Sequence, residues 1–80
     1  MNKILEYRIK HNLKQCDLAY KLNLAGIKCN ESYVSRWERG LRIPSQEARK
    51  ALARVLGISE YELFKDILVN LNLKLYKGYR

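Results

Sequence analysis

The stretch Asn30-Glu31-Ser32-Tyr33-Val34-Ser35-Arg36-Trp37-Glu38-Arg39-Gly40 decides the fold of this chain. Asn30 is a residue type that caps the start of helices, and Gly40 is the type that ends them in a left-handed conformation. The stretch is therefore predicted to be a short helix. Val34 and Trp37 share one face of it and are expected to enter a core. The outward face is polar: Glu31, Ser32, Ser35, Arg36 and Arg39.

Four more helices are predicted, so the chain is expected to be all-α. The first runs from about residue 3 to residue 10, and the second from about residue 15 to residue 22. After the quoted stretch, Ser45 caps a helix that Gly57 ends. Ser59 and Glu62 then form a capping-box pattern, which opens a short last helix that reaches about residue 65.

Helical periodicity also predicts which side chains of these segments face inward. In the first helix, Leu5 and Ile9 are expected to enter the core and Arg8 to face solvent. Between the second helix and the quoted stretch, Leu24 and Ile27 are expected to cover the core.

The last residues, 66–80, form an apolar extension whose secondary structure stays open. The extension is rich in leucine, which favours helices, but the two-residue period of its apolar residues is typical of a half-buried strand. Either form is too apolar for water, so this extension to a domain over residues 1–65 is predicted to dimerise, or else to fold back on its own domain. The dimerisation residues would be Ile67, Val69, Leu71, Leu73 and Leu75.

The charge balance favours a polyanionic partner, with a generally basic soluble protein as the alternative. Sixteen Lys and Arg residues against eight Asp and Glu residues give a formal net charge of +8. Cys16 and Cys29 have no metal-ligand spacing and His11 stands apart, so neither a metal nor a cofactor is expected. The cysteines are expected to be reduced packing residues of a cytoplasmic protein, with a disulfide as the alternative. No apolar run reaches the roughly twenty residues of a membrane span.

Several motifs in their order along the chain resemble the Cro/repressor-type helix-turn-helix family, also called the XRE family. Residues 35–40, SRWERG, with Arg42 and Pro44 resemble the end of its recognition helix. Residues 15–22 resemble its first motif helix, and residues 56–64 its last two helices. The resemblance implies a five-helix lambda-repressor-like domain. The chain departs from the family by an insertion of about five residues in the turn before the recognition helix.

In this family the recognition helix lies in the major groove and the helix before it crosses the phosphate backbone. The resemblance implies three base readers, Glu31, Ser32 and Arg36. Arg36 can bind guanine in a bidentate manner, and Glu31 can accept from cytosine, although a role at the positive end of the helix dipole suits Glu31 equally. The resemblance implies phosphate contacts from Gln15, Tyr33, Ser35, Arg39 and Arg42. Lys28, in the inserted turn, is a further candidate for a phosphate contact, with a solvated charge as the alternative.

Two further side chains of the motif have predicted roles. Trp37 is expected to be a core residue; stacking on a base is the alternative and would require its exposure. Glu38 is expected to pair with a neighbouring Arg or to cap locally, and it has no predicted catalytic role.

The predicted function is therefore a sequence-specific double-stranded DNA-binding transcription regulator. We expect a repressor of bacterial or phage type that binds a palindromic operator as a homodimer, in the cytoplasm, without a small-molecule ligand. One alternative is a protein-interaction module, such as an antitoxin or a phage-type inhibitor, and the other is a non-specific nucleic-acid binder. An enzyme is not predicted, because no set of nucleophile, base and orienting residue is evident.

Overall fold

The computed structural model describes residues 2–65 of the 80-residue chain. They form five helical segments and no strand, as the sequence predicts: α1 (Ile4–Lys10), α2 (Gln15–Leu24), α3 (Glu31–Glu38), α4 (Gln46–Leu56) and α5 (residues 60–65). Within residues 2–65, no helix is both long enough and apolar enough to cross a membrane. The predicted extension and its dimerisation residues, Ile67, Val69, Leu71, Leu73 and Leu75, lie outside the described residues.

Local capping interactions set the ends of the helices. The side chains of Asn30 and Ser45 each accept a hydrogen bond from the backbone N–H three residues further on, at 3.1 and 3.2 Å. Gly40 and Gly57 have φ angles of 73° and 68°, in the left-handed region that a side chain would strain. The four capping residues that the sequence predicts are therefore confirmed.

One apolar core lies between the helices, and Trp37 belongs to it. This side chain is 4% exposed, so the prediction of a core residue is confirmed and the alternative of a base-stacking ring is wrong. The α5 segment closes the core with Leu63 and Phe64, both fully buried. The other fully buried apolar residues are Ile4, Leu18, Leu22, Val34, Pro44, Leu52 and Leu56.

Three predictions for α1 are wrong, and they share one cause. Leu5 is 44% and Ile9 59% exposed, whereas the side chain of Arg8 is only 12% exposed. The inward face of α1 follows Ile4, Tyr7 and Arg8, at the i, i+3, i+4 spacing of a helix. Leu5 and Ile9 therefore lie on its outward side.

The turn between α2 and α3 covers residues 25–30, and its first residues end α2. Gly26 has a φ of 90°, and its N–H donates to the Asn23 carbonyl at 3.0 Å. The Ile27 N–H donates to the Leu22 carbonyl at 2.9 Å, which completes a Schellman motif. Ile27 packs against the core as predicted, but Leu24 is 72% exposed, because it lies on the outer side of the last turn of α2.

Asn23 ties the second half of this turn to α2. Its side-chain amide donates to the Ala19 and Cys29 carbonyls, both at 2.8 Å. Cys29 is buried, and burial raises the pKa of its thiol because the thiolate loses hydration. Cys16 is exposed and both cysteines are free, so the disulfide and the packing role of Cys16 are wrong, whereas the packing role of Cys29 is confirmed.

Candidate nucleic-acid interface

The outward face of α3 forms the front of the molecule. Because Val34 and Trp37 are buried, helical geometry directs the polar residues of α3 to the other side. There an open cavity of about 360 Å³ is bounded by α3 and the start of α2, and we call it the front cavity. Its lining residues are Gln15, Glu31, Ser32, Ser35, Arg36 and Arg39.

The front cavity contains six of the nine residues that are candidates for DNA contact. Glu31, Ser32, Arg36 and Arg39 are exposed, and Ser35 is half-buried. Glu31 is the first residue of α3, so its position suits base contact and the helix dipole alike. The roles of these residues stay predictions, but the structure brings the six side chains together on one surface.

Behind this surface, Glu38 joins α3 to α1 and α2. Its side chain is only 5% exposed, and its carboxylate accepts hydrogen bonds from Arg8 Nε, from Arg8 Nη2 at 3.2 Å and from Gln15 Nε2 at 2.9 Å. Arg8 Nη1 also donates to the Leu13 carbonyl at 2.7 Å. The buried charges are thus paired and hydrogen-bonded, as the cost of desolvation demands.

The partner of Glu38 is Arg8, thirty positions away in sequence. The prediction that Glu38 pairs with an Arg is therefore confirmed, but the Arg comes from α1. Sequence reasoning missed Arg8, although a signal was present: Arg8 lies four residues after the buried Ile4 and one after Tyr7, on their helix face.

The same network orients Gln15 at the start of α2. One hydrogen of its Nε2 is donated to Glu38, which leaves the second hydrogen and the carbonyl oxygen for another partner. The unpaired backbone N–H groups of a helix N-terminus favour anions at the same place. Gln15 therefore can donate to a phosphate at the edge of the front cavity.

The other three candidate DNA contacts lie together on the other side of α3: Lys28, Tyr33 and Arg42. They line a groove of about 270 Å³ between the turn of residues 25–30 and the connection from α3 to α4, and we call it the side groove. The Arg42 guanidinium carbon is 5.7 Å from the centre of the Tyr33 ring, within the range of a cation–π interaction. The centre of the Tyr33 ring in turn lies 6.3 Å from the centre of the Trp37 ring. Arg42, Tyr33 and Trp37 therefore lie one behind the other from the surface to the core.

The cations of the front cavity and the side groove are available for an external anion. Within residues 2–65, Lys28, Arg36, Arg39 and Arg42 form no ion pair with a carboxylate, and these residues contain no cluster of three potential metal ligands. The basic residues that do pair with Glu side chains are Lys3, Arg8, Lys10, Arg49 and Lys65.

Comparison with known proteins identifies the family of the chain. A family model described as helix-turn-helix matches residues 4–63, which include all five helical segments almost to their ends. No curated protein and no solved structure matches the chain significantly. Since the family match covers most of the chain, the protein belongs to the XRE-type helix-turn-helix family and is a DNA-binding transcription regulator.

Proposed function

We propose that the protein represses transcription by binding a palindromic operator as a homodimer, with α3 in the major groove of each half-site. The front cavity supports this proposal most, because it groups the three candidate base readers with three candidate phosphate contacts on one exposed surface. In a dimer of this kind, the two copies of α3 lie about 34–36 Å apart, one turn of DNA.

The candidate base readers differ in the information that each can supply. Arg36 is exposed and has no carboxylate partner within residues 2–65, so its guanidinium can bind the O6 and N7 atoms of guanine. Glu31 can accept from the N4 amino group of cytosine, and Ser32 can donate or accept. A good bidentate contact discriminates against a wrong base by about 1–3 kcal/mol.

The candidate phosphate contacts position the protein rather than read the sequence. Gln15, Ser35 and Arg39 surround the base readers in the front cavity, and Lys28, Tyr33 and Arg42 lie in the side groove. A helix in the major groove has a phosphate backbone on each side, so contacts on both sides of α3 suit this placement.

Homodimerisation rests on the small size of the domain and on the apolar extension. A domain of about this length gains little stability from its own core, and a partner copy would bury more apolar surface. The division into a domain over residues 1–65 and a dimerising extension over residues 66–80 remains part of the proposal.

Selection of bound duplexes from a random DNA pool, at a stated salt concentration, tests the proposal directly. An enriched inverted repeat with half-site centres one helical turn apart would support a dimeric operator reader. Binding without enrichment that vanishes as salt rises would favour a non-specific binder instead. No binding to any duplex would favour a protein-interaction module that keeps this fold.

Arg36→Ala and Arg42→Ala are predicted to have different effects on DNA recognition. Arg36→Ala should weaken binding to the selected site by about 1–3 kcal/mol, because it removes a base contact. The variant should also bind sites with other bases at one position almost equally well. Arg42→Ala should weaken binding to every duplex alike, because it removes a phosphate contact. The measurement is affinity for the selected site and for each single-base variant; identical profiles for the two proteins would contradict the assigned roles.

Removal of residues 66–80 is predicted to give a monomer with weaker operator binding, because each half-site would then bind independently. Sedimentation and operator affinity, measured on the full chain and on a chain that ends at Lys65, check this prediction. A truncated protein that still sediments as a dimer would show that the interface lies elsewhere.

A further inference from the structure

The side groove brings a cation from the lengthened turn next to a cation from the connection after α3. Lys28 belongs to the turn of residues 25–30, and Arg42 to the connection between α3 and α4. The two residues are fourteen positions apart in sequence, and their juxtaposition follows from the fold.

Lys28 is held on both sides by anchored neighbours. Ile27 packs against the core, and its N–H donates to the Leu22 carbonyl at 2.9 Å. Cys29 is buried, and its carbonyl accepts from Asn23 Nδ2 at 2.8 Å. The backbone around Lys28 is therefore fixed, and its exposed side chain is presented at the rim of the side groove.

Arg42 is held by its own surroundings. The Leu41 N–H donates to the Arg36 carbonyl at 2.9 Å, and the carbonyl of the buried Pro44 accepts from Arg49 Nη1 at 2.9 Å. Between these two anchors, the Arg42 side chain lies over the Tyr33 ring. The ring limits the positions that the guanidinium can take, so Tyr33 acts as a positioning residue for this cation.

The chemistry of the side groove suits one phosphate group. It is lined by two cations and by the hydroxyl of Ser45, and no carboxylate of the described residues lines it. Ser45 Oγ accepts the cap hydrogen bond from Ala48, which leaves its hydroxyl hydrogen free to be donated. The front cavity differs, because the carboxylate of Glu31 is among its lining groups.

The position of the side groove relative to α3 indicates which DNA strand it would meet. Helical geometry places Ser32 and Arg36 in the middle of the outward face, Glu38 with Gln15 at one edge, and Tyr33 with Arg42 at the other. A helix in the major groove has one phosphate backbone along each edge. Gln15 and Arg42 therefore face different strands.

We infer that Lys28 and Arg42 jointly bind a single DNA phosphate, on the strand opposite to the one that Gln15 contacts. The lengthened turn would thus add a second cation to one phosphate contact. The inference rests on the proposed placement of α3 in the major groove, and it goes beyond that placement because it assigns both cations to one group of the DNA.

Salt dependence distinguishes one shared phosphate from two separate ones. The slope of log K against log salt changes by about 0.9 for each phosphate contact removed. The proposed dimer carries each residue twice, so the double variant Lys28→Ala/Arg42→Ala of the full chain should lose about 1.8 in slope per dimer, and the losses of the two single variants should not add up to more than this. A double variant that loses about 3.6 per dimer, as the sum of two single losses of about 1.8, would overturn the inference.

Single methylphosphonate substitutions along the selected duplex then locate the phosphate. The wild-type protein should lose affinity at one phosphate of each half-site, where Lys28→Ala and Arg42→Ala should both lose less, and a phosphate of the other strand in the same half-site should report on Gln15→Ala. Two different positions for Lys28 and Arg42, or no effect of Lys28→Ala, would overturn the inference. Lys50→Ala is the matched control, because Lys50 is an exposed lysine outside the front cavity and the side groove. It should leave the salt slope and the pattern of methylphosphonate effects unchanged.

These measurements separate failure of the inference from failure of the proposed function. A protein without sequence preference would contradict the proposed operator, and the inference with it. A protein that selects an inverted repeat but whose double variant loses the slope of two separate phosphates per protomer would keep the proposed function and lose only the shared phosphate.

Discussion

Glu38→Ala is expected to lower the free energy of unfolding by about 3–5 kcal/mol, the usual effect of removing one partner of a buried ion pair. The variant leaves the Arg8 guanidinium, whose side chain is 12% exposed, without a carboxylate. It also removes the acceptor of Gln15 Nε2. A chain of this length has a total stability of about 4–12 kcal/mol, so the loss is a large share of it.

Urea unfolding followed by far-ultraviolet circular dichroism measures this loss. Protein concentration must be the same for all variants, because association would add to the apparent stability. Glu6→Ala is the matched control: its side chain is 54% exposed and its ion pair with Lys10 is on the surface, so its loss should stay below about 1 kcal/mol.

A double variant separates the unpaired charge from the lost packing. Arg8→Met/Glu38→Leu removes both charges and fills the space with apolar groups, and such replacements of buried pairs are often neutral or stabilising. We expect it to be clearly more stable than Glu38→Ala. If Glu38→Ala unfolds at the same urea concentration as the wild type, the pair does not contribute to stability as argued.

Trp37→Ala is expected to have the second large effect: it should lower the free energy of unfolding by about 3–5 kcal/mol. Trp37 is 4% exposed and lies between the core and the Tyr33 ring, so truncation leaves a cavity and removes the support of that ring. Thermal unfolding of the full chain checks this, since about 1 kcal/mol shifts the midpoint of a small domain by roughly 4–8 °C.

Trp37→Phe is the matched control for the cavity, because a smaller ring still fills much of the space. It should lose clearly less stability than Trp37→Ala. Because the chain has one Trp, its fluorescence also reports on exposure: acrylamide should quench the native protein weakly and the urea-unfolded protein strongly. Equal quenching in both states would contradict a buried ring.

The helix ends could be predicted from the sequence, because the interactions that set them are local. Asn30 and Ser45 each cap the N–H three residues on, and Gly40 and Gly57 take left-handed conformations at the helix ends. The burial of Trp37 was likewise predictable from its three-residue spacing to Val34. Residue type and spacing are sufficient for such interactions.

The front cavity was also predictable in large part. Its six residues come from two short segments, and the family resemblance names all of them. By contrast, the inward face of α1 was predicted wrongly, because apolar character was given more weight than position. Arg8 lies on that face because the acceptor that compensates its burial, Glu38, comes from another helix.

The sequence by itself determined the helices, their caps and the polar face of α3. Only the tertiary structure decided that Arg8 and Gln15 meet at Glu38, and that Lys28 and Arg42 line the same side groove. The physical reason is the same for both. Contacts between distant segments depend on how helices cross and on the path of a turn, and those are set by the packing of the whole core rather than by neighbouring residues.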